Sequence, residues 1–252
     1  LIAPSEYEPA HGQCRRGAEG GVQCKGLNDK GQLGQGPLGT YEEIVPTPVL
    51  LPGVKASDVA VGNHGAMCII DADTASSEVH CWYPDTGADP SFMSLGTDAV
   101  TTLETRMPVL DLDDAPIQAT EIDAGVGISA NLFAAILEGG ALVTWGSADE
   151  SALGVAETDP RARPVHDQNN EPIKDALSVS FGRALGCVVR ATSGDVHCWG
   201  NTNYDAAQIS GDGTYAGQIS DVDGGYLTGA RAVSVSKVAE AGTDVLSHAC
   251  AL

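Results

Sequence analysis

Val196-His197-Cys198-Trp199-Gly200-Asn201 is one of several copies of a single pattern. Val22-Gln23-Cys24-Lys25-Gly26-Leu27-Asn28, Val79-His80-Cys81-Trp82-Tyr83 and Val143-Thr144-Trp145-Gly146 are the others. With Cys24, Cys81, Thr144 and Cys198 taken as equivalent, the copies stand 57, 63 and 54 residues apart. A self-similar step of that size marks a repeat array or a propeller, in which each unit buries its apolar face only against its neighbours.

The cysteines refine the pattern. Cys14 and Cys24, Cys68 and Cys81, and Cys187 and Cys198 are 10, 13 and 11 residues apart, and each pair brackets a polar, turn-forming segment. Each pair reads as an antiparallel hairpin with one Cys on either strand, close enough for a disulfide. In the third unit the corresponding positions are Ala134 and Thr144, so where one Cys is absent its partner is absent too. Paired disulfides predict that coincidence. Disulfides in turn point to an oxidising compartment, hence an extracellular or cell-surface protein. Two alternatives stay open: free buried thiols, and zinc. Against zinc stand the missing CxxC or HxxxH spacing and the opposite strand faces of His80 and Cys81.

The rest of each unit follows a fixed order. Leu33-Gly34, Leu95-Gly96, Leu153-Gly154 and a weak Gln208-Ile209 come after the closing strand. A Pro-Val step follows at Pro48-Val49, Pro108-Val109 and Pro164-Val165, with Ala232-Val233 as a version without proline. Then comes a strand running into a glycine: Val54 to Gly62, Ile117 to Gly125, Ile173 to Gly182 and Val235 to Gly242. Apolar residues alternate with polar or small ones, as in strands with one buried face. No segment holds a helical apolar stripe. Trp82, Trp145 and Trp199 are expected to pack as plates between units, and the glycines to serve turns and close backbone contacts. Residues 1–10 read as an extended arm, and 11–252 as a single repeat domain.

Composition limits the function. The chain of 252 residues carries 34 acidic and 13 basic side chains, a formal charge of −21. Nucleic acid and anionic membranes are bound mainly through Lys and Arg, so neither is an expected partner. No apolar run approaches the roughly 18–20 residues of a membrane span. The chain starts with Leu1 and shows no signal peptide, as a processed or truncated chain would. There is no Asn-x-Ser/Thr sequon. Gly-x-Ser-x-Gly, a Gly-Lys-Ser/Thr phosphate loop and a dinucleotide fingerprint are absent, so no catalytic residue, cofactor or metal ligand is assigned. Asp71 with Asp73, Asp111 with Asp113 and Asp114, and Asp221 with Asp223 are acidic loops with oxygen ligands of the kind Ca²⁺ takes, and none matches an EF-hand.

His248-Ala249-Cys250-Ala251-Leu252, Cys198-Trp199-Gly200-Asn201-Thr202-Asn203 and Asn28-Asp29-Lys30-Gly31-Gln32-Leu33-Gly34 together resemble the repeat of the regulator of chromosome condensation family, a β-propeller. The Cys-rich form is similar to that of bacterial secreted members. The resemblance runs from about His11 to the end and implies an all-β propeller of four such units, where the family usually has seven blades. The chain departs from the pattern at Lys25, at Tyr83-Pro84 and at Asp205-Ala206-Ala207-Gln208. No loop matches the family's sites for GTPase exchange or chromatin, so those activities are not carried over.

First-strand sites number five (Cys14, Cys68, Ala134, Cys187, Cys250) against four second-strand sites. Cys250 is therefore left over. Either further repeats follow, or the Cys250 strand competes with the Cys14 strand for Cys24, or it completes a neighbouring molecule. A surplus Cys in a secreted protein points to an intermolecular bond or a reactive thiol, and a free strand edge invites pairing. The expected function is a non-enzymatic extracellular scaffold that associates with its own copies, as an oligomer or filament, or with other extracellular proteins. The alternative is a secreted inhibitor or ligand-binding propeller acting on a hydrolase or glycan through loops on one face.

Overall fold

The structure, a computed structural model, describes residues 2–3, 13–25, 47–48, 55–62, 66–72, 76–82, 96, 106–126, 131–146, 160–182, 185–200, 215–220, 223–236 and 249–252. Among these there are eighteen strands and no helix. The first sheet is β1 (Ile2–Ala3), β2 (Gln13–Arg16), β3 (Val22–Lys25) and β4 (Thr47–Pro48). The second is β5 (Ala56–Val61), β6 (Met67–Asp71), β7 (Val79–Trp82) and β8 (Met107–Pro108). The third is β9 (Ala119–Val126), β10 (Asn131–Leu137), β11 (Leu142–Gly146) and β12 (Arg163–Pro164). The fourth is β13 (Ala176–Phe181), β14 (Leu185–Arg190), β15 (Val196–Gly200) and β16 (Gly217–Gln218), and β17 (Val233–Val235) pairs with β18 (Ala249–Ala251) in a fifth. Every strand pairs antiparallel with its neighbour in sequence, as in the blades of a propeller.

The expected hairpins stand in the expected register. Cys14 lies opposite Cys24, Cys68 opposite Cys81, Ala134 opposite Thr144 and Cys187 opposite Cys198. The fourth unit is corrected. The sequence equates Ala232-Val233 with the Pro-Val step, but β16 holds that place and Val233–Val235 is a first strand. Gln218 faces His197 as Pro108 faces His80, so the residue that would mark the step is missing. Of the arm at 1–10, Ile2 and Ala3 are described, and they lie along Arg15 and Cys14. The Gly-Gln-Leu-Gly segment at 31–34, Leu95, Leu153-Gly154, Gln208-Ile209 and Tyr83-Pro84 lie outside the described residues.

Burial is arranged in seams between sheets. Trp82 sits among Cys14, Val22 and Val59, between the first and second sheets. Trp145 sits with Cys68, Val79 and Phe133, between the second and third. Trp199 sits with Leu132, Ile136 and Phe181, between the third and fourth. Cys187, Cys198, Val233 and Val235 fill the last seam. Each Trp faces the preceding sheet, and the Cys positions face the following one, because neighbours along a strand point to opposite faces. Trp145 stacks on Phe133 at 5.6 Å between ring centroids, and Trp199 meets Phe181 edge-on at 5.4 Å.

One backbone contact repeats at every seam. The hairpin-turn residues Gly20, Ser77, Gly140 and Gly194 have φ of 85°, 49°, 87° and 70°. Their carbonyls accept the N–H of Ala56, Ala119, Ala176 and Ala230 in the next sheet at 2.8, 3.1, 2.8 and 2.9 Å. Three of the four are glycine, the residue that takes positive φ without steric cost. Closer to the strand ends the backbones nearly touch. A Cβ on Gly125 would lie 2.5 Å from the carbonyl oxygen of Gly182 and 2.8 Å from the Phe181 ring. Gly125→Ala is therefore expected to force the third and fourth sheets apart, at about 1–3 kcal/mol, read as a lower urea midpoint.

Candidate functional site

Two staples are closed in the structure. Cys68 and Cys81 are joined with Cα atoms 4.1 Å apart, and Cys187 and Cys198 likewise at 4.1 Å. Cys14 is disulfide-bonded, with Cys24 as its cross-strand partner in the backbone register. Cys250 is free and exposed. Its place in the fold is the same as that of the stapled residues. Cys68 pairs with Ala60, Cys187 with Ser180 and Ala134 with Asp123, each in the strand that opens its sheet, and Cys250 pairs with Ser234 in β17. The strand next to β18 would thus bring its own residue opposite Cys250, as Cys81 is brought opposite Cys68.

The histidines of the repeat lie on the sheet face away from the staples. His80 Nδ1 is 3.9 Å from Asp71 and its Nε2 is 3.7 Å from Glu78, while Arg106 reaches Asp71 at 3.2 Å. His197 Nδ1 is 3.4 Å from the carbonyl of Ala216. Burial holds both imidazoles below their ordinary 6.5, with Arg106 adding to the effect at His80 and Arg190 at His197. Their contribution to stability is present above that value and is lost as the pH falls through the lowered one. Asp111 is a turn former: its carboxylate accepts the N–H of Asp113 and Ala115 at 2.9 and 3.0 Å. Asp167 does the same for Asn169 and Glu171. No group of three metal-ligating side chains stands together among the described residues. His64, His248, Asp73 and Asp221 lie outside them.

A row of polar side chains that the sequence does not single out bridges the seams. Asp58 accepts the N–H of Ile122 from the third sheet at 3.1 Å, and that of Val59 in its own strand at 2.9 Å. Glu121 Oε1 accepts the N–H of Val179 at 3.1 Å and the Ser178 hydroxyl at 3.4 Å. Asp123 Oδ2 accepts the N–H of Phe181 at 2.8 Å and the Ser180 hydroxyl at 3.1 Å. Ser180 in turn accepts the N–H of Val235 at 3.1 Å. The third sheet, which lacks a staple, is tied to the fourth by two carboxylates. The available signal was the polar residue set between apolar ones in each first strand: Asp58-Val59, Glu121-Ile122-Asp123 and Ser178-Val179-Ser180.

The model of the regulator of chromosome condensation (RCC1) repeat matches residues 19–69. That span begins in the β2–β3 turn and ends in β6, so one sequence repeat supplies the outer two strands of one sheet and the first two of the next. This stagger explains the surplus Cys250: β15 to β18 are the fourth repeat, and β1 and β2 stand ahead of the first. The E3 ubiquitin-protein ligase HERC2 of Homo sapiens and that of Mus musculus are each 28% identical over 208 residues, covering 81% of this chain and 4% of theirs. Human WBSCR16 superimposes with a TM-score of 0.59 at 15% identity, covering 92% of this chain and 59% of that one. Prp20p of Saccharomyces cerevisiae does so with 0.50 at 18%, covering 89% and 52%. The chain thus spans a small fraction of the curated relatives and a little over half of the similar structures. Four four-stranded blades and staggered repeats agree with the matched repeat model on an RCC1-like repeat fold.

Proposed function

We propose that the protein is a non-enzymatic scaffold for protein interaction, working outside the cell or at its surface, and that it joins to copies of itself through β18. The observation that carries this reading is Cys250, exposed and free at a position where the equivalent residues of three other sheets are in disulfides. Disulfides suit an oxidising compartment. Protein binding is in keeping with the fold: the structure of yeast Prp20p is described with its binding properties to Gsp1p and histones, and Kap60 has been seen bound to it.

The proposed junction is a strand exchange. The outer edge of β18 takes β3 of a second copy, and that copy's β1 and β2 are displaced. β1 is two residues long and gives β2 little to hold. The Cys250 thiolate attacks the disulfide of Cys14 in the second copy, forms a bond with the Cys24 sulfur and releases Cys14 as thiolate. One disulfide is broken and one made, so no oxidant is consumed. A head-to-tail contact of this kind builds a ring where its rotation closes and a filament where it does not.

Non-reducing electrophoresis tests the covalent step. Wild type is expected to form a ladder of multiples that collapses with reductant, and Cys250→Ser to run as monomer. A wild-type monomer indistinguishable from Cys250→Ser would overturn the junction.

A further inference from the structure

The row of carboxylates along the first strands has a property that the staples and the Trp plates lack: it can gain or lose charge. Asp58, Glu121 and Asp123 lie in neighbouring first strands, half-buried, and each accepts a backbone N–H from the sheet that follows. Three negative charges in one row repel one another, while each is needed as an acceptor. Arg16 in β2 is the cation felt by Asp58. β13 contributes the hydroxyls of Ser178 and Ser180, and no titratable side chain lies between Ala176 and Phe181.

We propose that the seams on either side of the third blade form a proton-controlled joint, held tighter when the Asp58–Glu121–Asp123 row carries a proton and looser when it is fully charged. A carboxyl group that takes up a proton keeps a carbonyl oxygen to accept the N–H and loses its repulsion with the other two. Glu121 is the better placed proton holder. Both of its cross-seam bonds go to Oε1, which leaves Oε2 to carry the proton without breaking either. Asp58 uses both oxygens, one toward Val59 and one toward Ile122.

The direction of titration agrees. Burial pushes the Glu121 carboxyl above its ordinary 4.5, and the charges of Asp58 and Asp123 add to the rise, against the pull of Val179 N–H and Ser178. Burial likewise raises Asp58 above 3.8, with Asp123 adding to it and Ile122, Val59 and Arg16 opposing. A folded-state pKa above the unfolded one gives stability that is complete below the unfolded value and is lost as the pH rises through the folded value. The effect extends beyond one seam. The Ser180 hydroxyl donates to Asp123 and accepts from Val235, so the state of the row also orients the contact to the fifth sheet, where β18 lies.

Amide hydrogen exchange, corrected for the intrinsic rate at each pH, reads the joint at Val179, with Val143 inside the third sheet as reference. Protection of Val179 is expected to fall by roughly tenfold for each unit by which the Glu121 pKa is raised as the pH goes from mildly acid to neutral, while Val143 changes little. Glu121→Gln keeps the accepting oxygen and cannot ionise, so its Val179 protection is expected to stay near the acid wild-type level at neutral pH. Equal pH dependence in wild type and Glu121→Gln overturns the proposal. A carboxyl titration of Glu121 by NMR in the wild-type protein stands independently of the variant's folding. A midpoint above 4.5 supports the joint, and one at or below 4.5 removes it.

Discussion

Trp199→Ala is expected to lower stability by about 3–5 kcal/mol, the largest loss for any single substitution considered. Trp199 is fully buried in the third seam, against Leu132 and Ile136 on one side and Phe181 on the other. Gly186 has no side chain because the Trp199 ring occupies that space: a Cβ there would lie 2.5 Å from it. Truncation leaves a cavity between two rigid sheets that cannot close over it. Each blade is stabilised mainly by its neighbours, so the loss should spread. In a denaturant melt followed by near-UV signal and by exchange at Val143 and Val189, both sheets are expected to weaken together. A melt that weakens the fourth sheet alone would mean that the seam couples less than the packing implies.

Replacing Cys187 and Cys198 together by Ser is expected to cost about 3 kcal/mol, the figure for constraining so short a loop in the unfolded chain. The same treatment of Cys68 and Cys81 should cost a similar amount, since their separations of 11 and 13 residues differ little. The third sheet provides the contrast. Ala134 and Thr144 occupy its staple positions, so reductant should lower its local exchange protection less than that of the second and fourth, and only through the seams it shares with them. Calorimetry with and without reductant, with exchange at Val143, checks this. An unchanged transition would show that the staples add nothing to the packed hairpins.

Much of this architecture was legible because it is local. A turn, a Cys on either side and a Trp next to the second Cys lie within about a dozen residues, and antiparallel register follows from the turn. The coincident absence of Cys at Ala134 and Thr144 marks these two positions as cross-strand partners. What was not legible depends on which strands meet across a seam. Asp58 and Ile122 are 64 residues apart, and nothing in either sequence neighbourhood marks the contact. The fourth Pro-Val step was lost for a different reason: Gln218 replaces the proline, and Val233-Ser234-Val235 offers an equally good alternation one strand later. The uneven count of Cys sites was visible, but its cause was not. Only the offset between sequence repeat and blade makes β17 and β18 the end of a repeat and the beginning of a sheet.

The two proposals meet at that fifth sheet. Val235 receives the end of the polar relay and Cys250 lies on the strand beside it. If the scaffold assembles through β18, the charge on the row should set how firmly β17 is held while the strand is exchanged.

Sedimentation velocity of the unreduced protein over a wide range of concentration tests the central claim most directly. The account predicts a sedimentation coefficient that rises with concentration through a series of multiples, and a single monomeric boundary for Cys250→Ser. A wild-type boundary that stays monomeric at every concentration would contradict it.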